Sequence, residues 1–328
     1  MKSQITEPLQ VCTKKIVALS GGVGGAKLVF GLSKLLDPKN FATIVNTGDD
    51  FLFSGLKICP DLDSVCYSLA GLSNPINGWG RINDTWNCYN EIKKINPDVW
   101  FHLGDMDLAL QIERTRLLSL GMSLTEVTKI ICKKLLIESN VLPMTDNEVS
   151  TIIKTEEYGD LPFQEYFVKN NCIPKIINFE FKGIKEAQLS KESLFVLNNA
   201  DVIIICPSNP WLSIMPILGL ENVKRILEEK ISIAVSPIIG KRAIKGPTAK
   251  IFREFGVIPS ALEVAKIYEG LIDGIVIDYK NIEEEARIKS WGIIPLVTET
   301  LMADDKTKVQ LAENVIDFAL RISEDTTK

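Results

Sequence analysis

The chain has one histidine, His102, among 328 residues, and its seven cysteines stand apart at positions 12, 59, 66, 88, 132, 172 and 206. No two cysteines form a CxxC pair, which argues against a zinc centre of the usual Cys/His kind. An odd, dispersed set of thiols fits a reducing cytoplasm with mostly buried cysteines, and Cys206, closing the run VIIIC, reads as a core residue. Basic charge is also short. The net charge of -5 argues against broad nucleic-acid binding, which needs a basic surface. No stretch approaches the roughly 20 apolar residues of a membrane helix. The segment MKSQITEPLQVCTKK lacks the apolar centre of a secretory signal, and residues 1–14 read as a flexible arm. There is no Gly/Ser/Pro-rich linker, low-complexity tract or internal repeat, so residues 15–328 are expected to form a single α/β domain. A Walker A loop is excluded because no GK[ST] is present, and GxGxxG is matched only in part, with Lys27 in the third glycine's place.

Five apolar runs are present, each ending abruptly in a polar or glycine-rich motif: IVAL before SGGVGGAK, TIV before NTGDD, VWFHL before GDMD, VIIIC before PSNP and IAV before SPIIG. Such runs read as buried strands meeting loops, and the helical patterns between them predict parallel strands. Strands are expected near 15–20, 42–46, 99–103, 201–206 and 231–235, with later ones near 273–277 and 293–297. Helices are expected near 25–36, 62–70, 84–94 and 305–322, with two more over 107–136. Ser123 and Glu126 have capping-box spacing, with Gly121 in the preceding turn. From 140 to 190, VSTIIK and KIINFEF read as extended segments flanking the amphipathic FQEYFV, so an insertion or cap is expected at about 107–190. In parallel sheets ligands bind beyond the carboxyl ends of the strands, and five motifs along one edge predict a phosphate-rich ligand site.

The motifs carry particular chemistry. Glycines in Ser20–Lys27 allow close backbone approach to a phosphate at a helix N-terminus, or serve only as a tight turn. Asp49, Asp50, Asp61 and Asp63, with no soft ligand nearby, suit Mg2+ or a general base, although Asp61 also suits a helix N-cap. Trp79, Arg81 and Trp86 suit stacking on a flat ring and hydrogen bonding to its edge, with Trp86 as a core anchor the alternative. Asp105 and Asp107 offer ligand binding or helix capping, and His102, inside an expected strand, reads as a core histidine. Asn209, held in Pro207–Pro210, offers a donor and an acceptor for a base edge. Lys241, Arg242, Lys245 and Lys250 form a candidate phosphate clamp or a solvated face.

Together the motifs GGVGGAKL, NTGDD, CPDLDSVCYSLAGL, GWGRINDTWN, LGDMDLA, RTRLLSLGMSLTEVT, LPMTD, FQEYFV, PSNPWLSIMPIL and SPIIGKRAIKGP resemble the 2-phospho-L-lactate transferase family of coenzyme F420 biosynthesis. They run in order from about residue 16 to residue 302. The resemblance implies a Rossmann-like α/β fold, a Mg2+ requirement and a homodimer. It also implies transfer of a phospho-carboxylate group from a guanosine diphosphate-linked donor to the ribityl 5′-hydroxyl of the deazaflavin Fo, releasing GMP. Matching positions imply Asp50 and Asp63 as catalytic, and Asp50, Asp61 and Asp63 as metal ligands. Gly22, Gly24, Gly25, Lys27, Ser208, Asn209, Pro210 and Ser213 would hold the nucleotide and its phosphates, and Trp79, Arg81, Trp86 and Asp49 the deazaflavin. Where the family commonly reads SPIIGGKALKGP, Lys241 replaces the second glycine. The alternatives are a non-catalytic, nucleotide-sugar-binding regulator of the same superfamily, whose members are not expected to carry GWGRINDTWN or the SLTEVT helix, and, more remotely, an NAD-dependent oxidoreductase.

Overall fold

Seven short, β-branched runs assemble into one parallel sheet in the computed structural model, which describes residues 13–75, 78–244 and 246–326. The strands are β1 (Ile16–Ser20), β2 (Phe41–Val45), β3 (Asn140–Pro143), β4 (Val202–Ile205), β5 (Ile231–Val235), β6 (Gly274–Asp278) and β7 (Ile294–Thr298). Their spatial order is β7-β6-β5-β4-β1-β2-β3, with every pairing parallel. This is the doubly wound arrangement, in which the chain moves outward from β1 to one side and then from β4 to the other. The residues of β1, β2 and β4 are buried throughout, as strands covered by helices on both faces must be.

Alternate residues of β1 face two separate cores. Ile16 and Ala18 pack with α1 (Gly22–Leu35), α2 (Pro60–Leu69) and the C-terminal helix Asp305–Thr326, whereas Val17 and Leu19 join the opposite layer with Leu197, Ile217 and Ile226. The C-terminal helix buries Ala312, Val315, Ile316 and Ala319 as its periodicity predicts. Two further helices, α3 (Asn87–Ile95) and α4 (Asp105–Ser119), follow, then α5 (Leu124–Lys134). The capping box forms as read: Glu126 N donates to Ser123 Oγ at 3.2 Å, and Ser123 N donates to Glu126 Oε2 at 2.8 Å.

Two expectations are corrected. The run Val99–Leu103 is not a strand; the sheet edge is taken by β3, which lies inside the segment read as an insertion. Trp100 and Phe101 pack on Phe51 and Phe53 of the antiparallel hairpin Phe51–Phe53 and Leu56–Ile58, so this run is apolar because it covers that hairpin. His102 is accordingly exposed and not a core residue. The extended segments do pair, as an antiparallel sheet of Gly159–Pro162, Ser150–Thr155 and Ile176–Lys182. Cys206 is buried, and the six cysteines among the described residues are free thiols. Among those residues, no helix is long and apolar enough to cross a membrane. The expected arm at 1–14 falls almost wholly outside them.

Candidate functional site

A cavity of about 790 Å³ opens where the chain reverses direction between β1 and β4. It is lined by Gly21 and the first turn of α1, Gly22–Gly24, and by the loop after β4, Pro207–Asn209. Gly22 adopts φ +63°, a left-handed conformation that only glycine takes without strain. A Cβ on Gly24 would overlap the Pro207 carbonyl, and one on Gly25 would overlap the hydroxyls of Ser20 and Ser208. Those two glycines therefore let the two loops touch. Gly25 does not itself line the cavity. Ser208 Oγ donates to Gly21 O at 2.7 Å and accepts from Gly21 N at 3.1 Å, clasping the loops together.

Asn209 acts differently from its sequence reading. Its Oδ1 accepts from Trp211 N and Leu212 N at 3.1 and 3.2 Å and so caps the turn Pro210–Ile214. Only Nδ2 remains, buried and without a hydrogen-bond partner. The amide therefore offers the cavity a donor and no acceptor. Ser213 also lines the cavity, while Pro210 is buried and does not. Lys27 lines the cavity with its ammonium donating to Met302 O at 2.8 Å. Of the basic cluster, Lys241 and Arg242 are exposed and Lys250 is held by Tyr166, Pro174 and Glu254; none of the three lines the cavity. Lys245 lies outside the described residues.

One wall carries Asp49, Asp61, Asp63 and Asp107. Asp61 enters from the first turn of α2, where Pro60 fixes the helix start, and Asn46 Nδ2 donates to its Oδ2 at 2.9 Å. Burial pushes the Asp61 carboxyl up to about 6, against the Asn46 bond. Burial, then the neighbouring Asp61 charge, raises Asp49 well above the usual carboxylate range, and Asp49 Oδ1 is buried without a hydrogen-bond partner. Asp50 does not line the cavity. It is buried 3.8 Å from Lys57 Nζ, and burial pushes it up to about 7. Asp63 is clamped: Arg114, itself fully buried, reaches both carboxylate oxygens, and Gln111 Nε2 donates to Oδ2 at 2.8 Å.

Among the described residues, no group of three or more His, Cys, Asp or Glu side chains converges on a metal position. The chemistry of the wall nevertheless fits Mg2+ at Asp49 and Asp61. Two mutually repelling carboxylates, one with a buried orphan oxygen, match a cation that takes one or two protein carboxylates and completes its shell with water and phosphate.

Much of the remaining lining is aromatic. Trp79, Trp100, Phe101, Phe163 and Phe167 contribute to it, together with His102. The His102 ring packs edge-on against Tyr89, with centroids 4.5 Å apart. Trp79 and Trp86 meet at 6.2 Å, and both border a small hollow with Arg81 and Asp107. The Arg81 guanidinium lies 5.6 Å from the centroid of the Tyr67 ring. The loop carrying these residues is stapled to α4 in both directions. Asp84 accepts from Met106 N and Asp107 N at 2.8 and 3.0 Å, capping α4. Asp105 accepts from Cys88 N and Thr85 Oγ1 at 2.9 and 2.6 Å, capping α3, and these bonds hold its carboxyl low, at about 2.

The sequence reading missed Tyr67, Gln111 and Arg114, as well as Phe101, Phe163 and Phe167. Helix faces and an apolar loop gave no local sign that these side chains, Arg114 apart, line one cavity, or that Arg114 lies behind it on Asp63.

Residues 16–314 match the family model described as 2-phospho-L-lactate transferase CofD. The 2-phospho-L-lactate transferase of Methanosarcina acetivorans is 35% identical over 301 residues, covering 92% of this chain and 98% of that one. That of Methanocaldococcus jannaschii is 35% identical over 306 residues, covering 92% and 97%. The phosphoenolpyruvate transferase of Streptomyces coelicolor is 33% identical over 318 residues, covering 94% and 99%. Among solved structures, a Bacillus halodurans protein of the UPF0052 family superposes with a TM-score of 0.62 at 16% identity, over 92% of this chain and 99% of that one, a likeness of fold alone.

Proposed function

The chain belongs to the 2-phospho-L-lactate transferase family and is a transferase, and from that premise we propose that it moves a phospho-carboxylate group from a guanosine diphosphate-linked donor to the ribityl 5′-hydroxyl of Fo, releasing GMP. The group is phospholactyl or phosphoenolpyruvyl in type, as the relatives' two names suggest. The observation that carries the reading is a single cavity lined both by a carboxylate pair beside a glycine-rich turn and by a set of aromatic side chains. A charged nucleotide diphosphate and a flat tricyclic acceptor make opposite demands on a site, and this cavity meets both.

Phosphoryl transfer needs positioning and charge neutralisation more than a protein nucleophile. The first turn of α1, Gly22–Gly24, lines the cavity, and a helix N-terminus there suits the donor's phosphates. Asn209 Nδ2 supplies a donor to the nucleotide. Asp49 and Asp61 would hold Mg2+, which when bound supplies positive charge beside the phosphate oxygens. Asp63, locked by Arg114, lines the cavity as part of a neutral ion pair and holds α2 against α4. Trp79 and the other aromatic side chains of the lining orient the deazaflavin and exclude water from the transfer, with Arg81 in the adjoining hollow. The test is incubation with Fo, Mg2+ and donors carrying phospholactate, phosphoenolpyruvate or phosphoglycerate, followed by product mass. The expected result is an Fo phosphodiester and an equal amount of GMP. Tight nucleotide binding with no turnover on any donor would favour a regulatory protein instead.

A further inference from the structure

Transfer of a phosphoryl group to an alcohol releases a proton, and some group in the cavity must take it. Four aspartates line the cavity. Asp49 and Asp61 stand by the glycine loop as the pair suited to a cation, and both oxygens of Asp63 are held by Arg114. Asp107, in the first turn of α4, is set differently. Its Oδ1 accepts from Tyr67 OH at 2.6 Å and from Gln111 Nε2 at 3.0 Å. Among the described residues, no group donates to its Oδ2. The carboxylate is thus oriented through one oxygen while the other stays available. Asp107 also borders the hollow of Trp79, Arg81 and Trp86, so it stands where the aromatic and carboxylate sides of the cavity meet.

From this geometry we infer that Asp107 Oδ2 accepts the proton of the acceptor hydroxyl, a role that rests on the transfer reaction proposed above. The hydroxyl oxygen bonds to the donor phosphorus that bears the carboxylic acid. The bond from that phosphorus to the GMP oxygen breaks, and GMP leaves with the electron pair. The hydroxyl proton passes to Oδ2 and returns to solvent once the products have left. Burial, then the charge of Asp63, pushes the Asp107 carboxyl up to about 6, within the range useful to a base at neutral pH. The groups that face it are Asp63 and Tyr67 on α2, Arg81 and Asp84 on the preceding loop, and Gln111 and Arg114 on its own helix. Bonds from Tyr67 and Gln111 and the charge of Arg114 oppose the rise. Burial holds the Tyr67 phenol far above its ordinary range, so it remains a donor.

Two variants test the role. Asp107→Asn should lower kcat by about 10²-fold or more, while the dissociation constants for GDP and Fo stay within about two-fold of wild type. Tyr67→Phe removes a bond that stabilises the charged carboxylate, so the pH at which kcat falls on acidification should move upward from its wild-type position. The role is overturned if Asp107→Asn turns over within about three-fold of wild type, or if the acid limb of Tyr67→Phe is unmoved. The Tyr67→Phe result stands even where Asp107→Asn fails to fold. A wild-type protein inert toward every donor overturns the transfer reading itself, and the proton acceptor with it.

Discussion

At the scale of single residues, binding depends on which polar atoms the fold leaves unpaired, and Asn209 keeps one, its Nδ2. Asn209 was legible as a polar residue in a rigid turn, but its Oδ1 is spent on Trp211 and Leu212. Asn209→Asp keeps an oxygen for that cap and replaces the Nδ2 donor by a second acceptor. It should weaken GDP binding by about ten-fold or more in calorimetry, since an unpaired buried donor–acceptor contact is worth about 1.5–3 kcal/mol when a charge is involved, with the melting temperature kept. Unchanged affinity would mean that the amide only shapes the turn. The carboxylates repeat the lesson. Four aspartates were legible, yet spacing could not reveal that Arg114, 51 residues away, occupies Asp63. Asp49→Asn and Asp61→Asn should each cost roughly 10²-fold in rate. Near-native turnover by either variant in excess Mg2+ would contradict the assignment of that pair.

At the scale of elements, periodicity and caps were reliable where local physics decides, and apolar runs were not. The box at Ser123 and Glu126 is a local arrangement of two side chains and two N–H groups, and it forms as the four-residue spacing dictates. Ser123→Ala should therefore destabilise the protein by about 1 kcal/mol in thermal or denaturant unfolding and leave turnover unchanged. A loss of activity without a loss of stability would give α5 a role in the site that its position does not explain. Val99–Leu103 shows the opposite case. Its apolar run is indistinguishable from a buried strand in composition, but its burial comes from an aromatic cluster with Phe51 and Phe53. The edge strand Asn140–Pro143 is short, and its pairing with β2 depends on residues about a hundred positions away.

At the scale of the whole molecule, the parallel sheet was legible because six of its seven strands read as apolar runs alternating with helical patterns, and the location of the site followed from that alone. The meeting of carboxylate and aromatic linings in one cavity was not legible. It brings together residues of the 100–107 segment, the first turn of α2 and the segment around Phe163, which are far apart in the chain. The two kinds of lining predict separable effects. Arg81→Ala or Trp79→Ala should raise the KM for Fo by about ten-fold or more, as lost ring stacking or a lost cation contact implies, without altering GDP affinity. A loss of GDP binding with Fo affinity intact would exchange the roles of the two linings. The most direct measurement is a crystal structure of the protein with GDP, Mg2+ and Fo bound. The account predicts diphosphate oxygens at Gly21–Val23 beside Asp49 and Asp61, the deazaflavin ring against Trp79 and Phe101, and the ribityl 5′-hydroxyl directed to Asp107. A deazaflavin seated on the glycine loop, or a nucleotide stacked on the aromatic side chains, would contradict it.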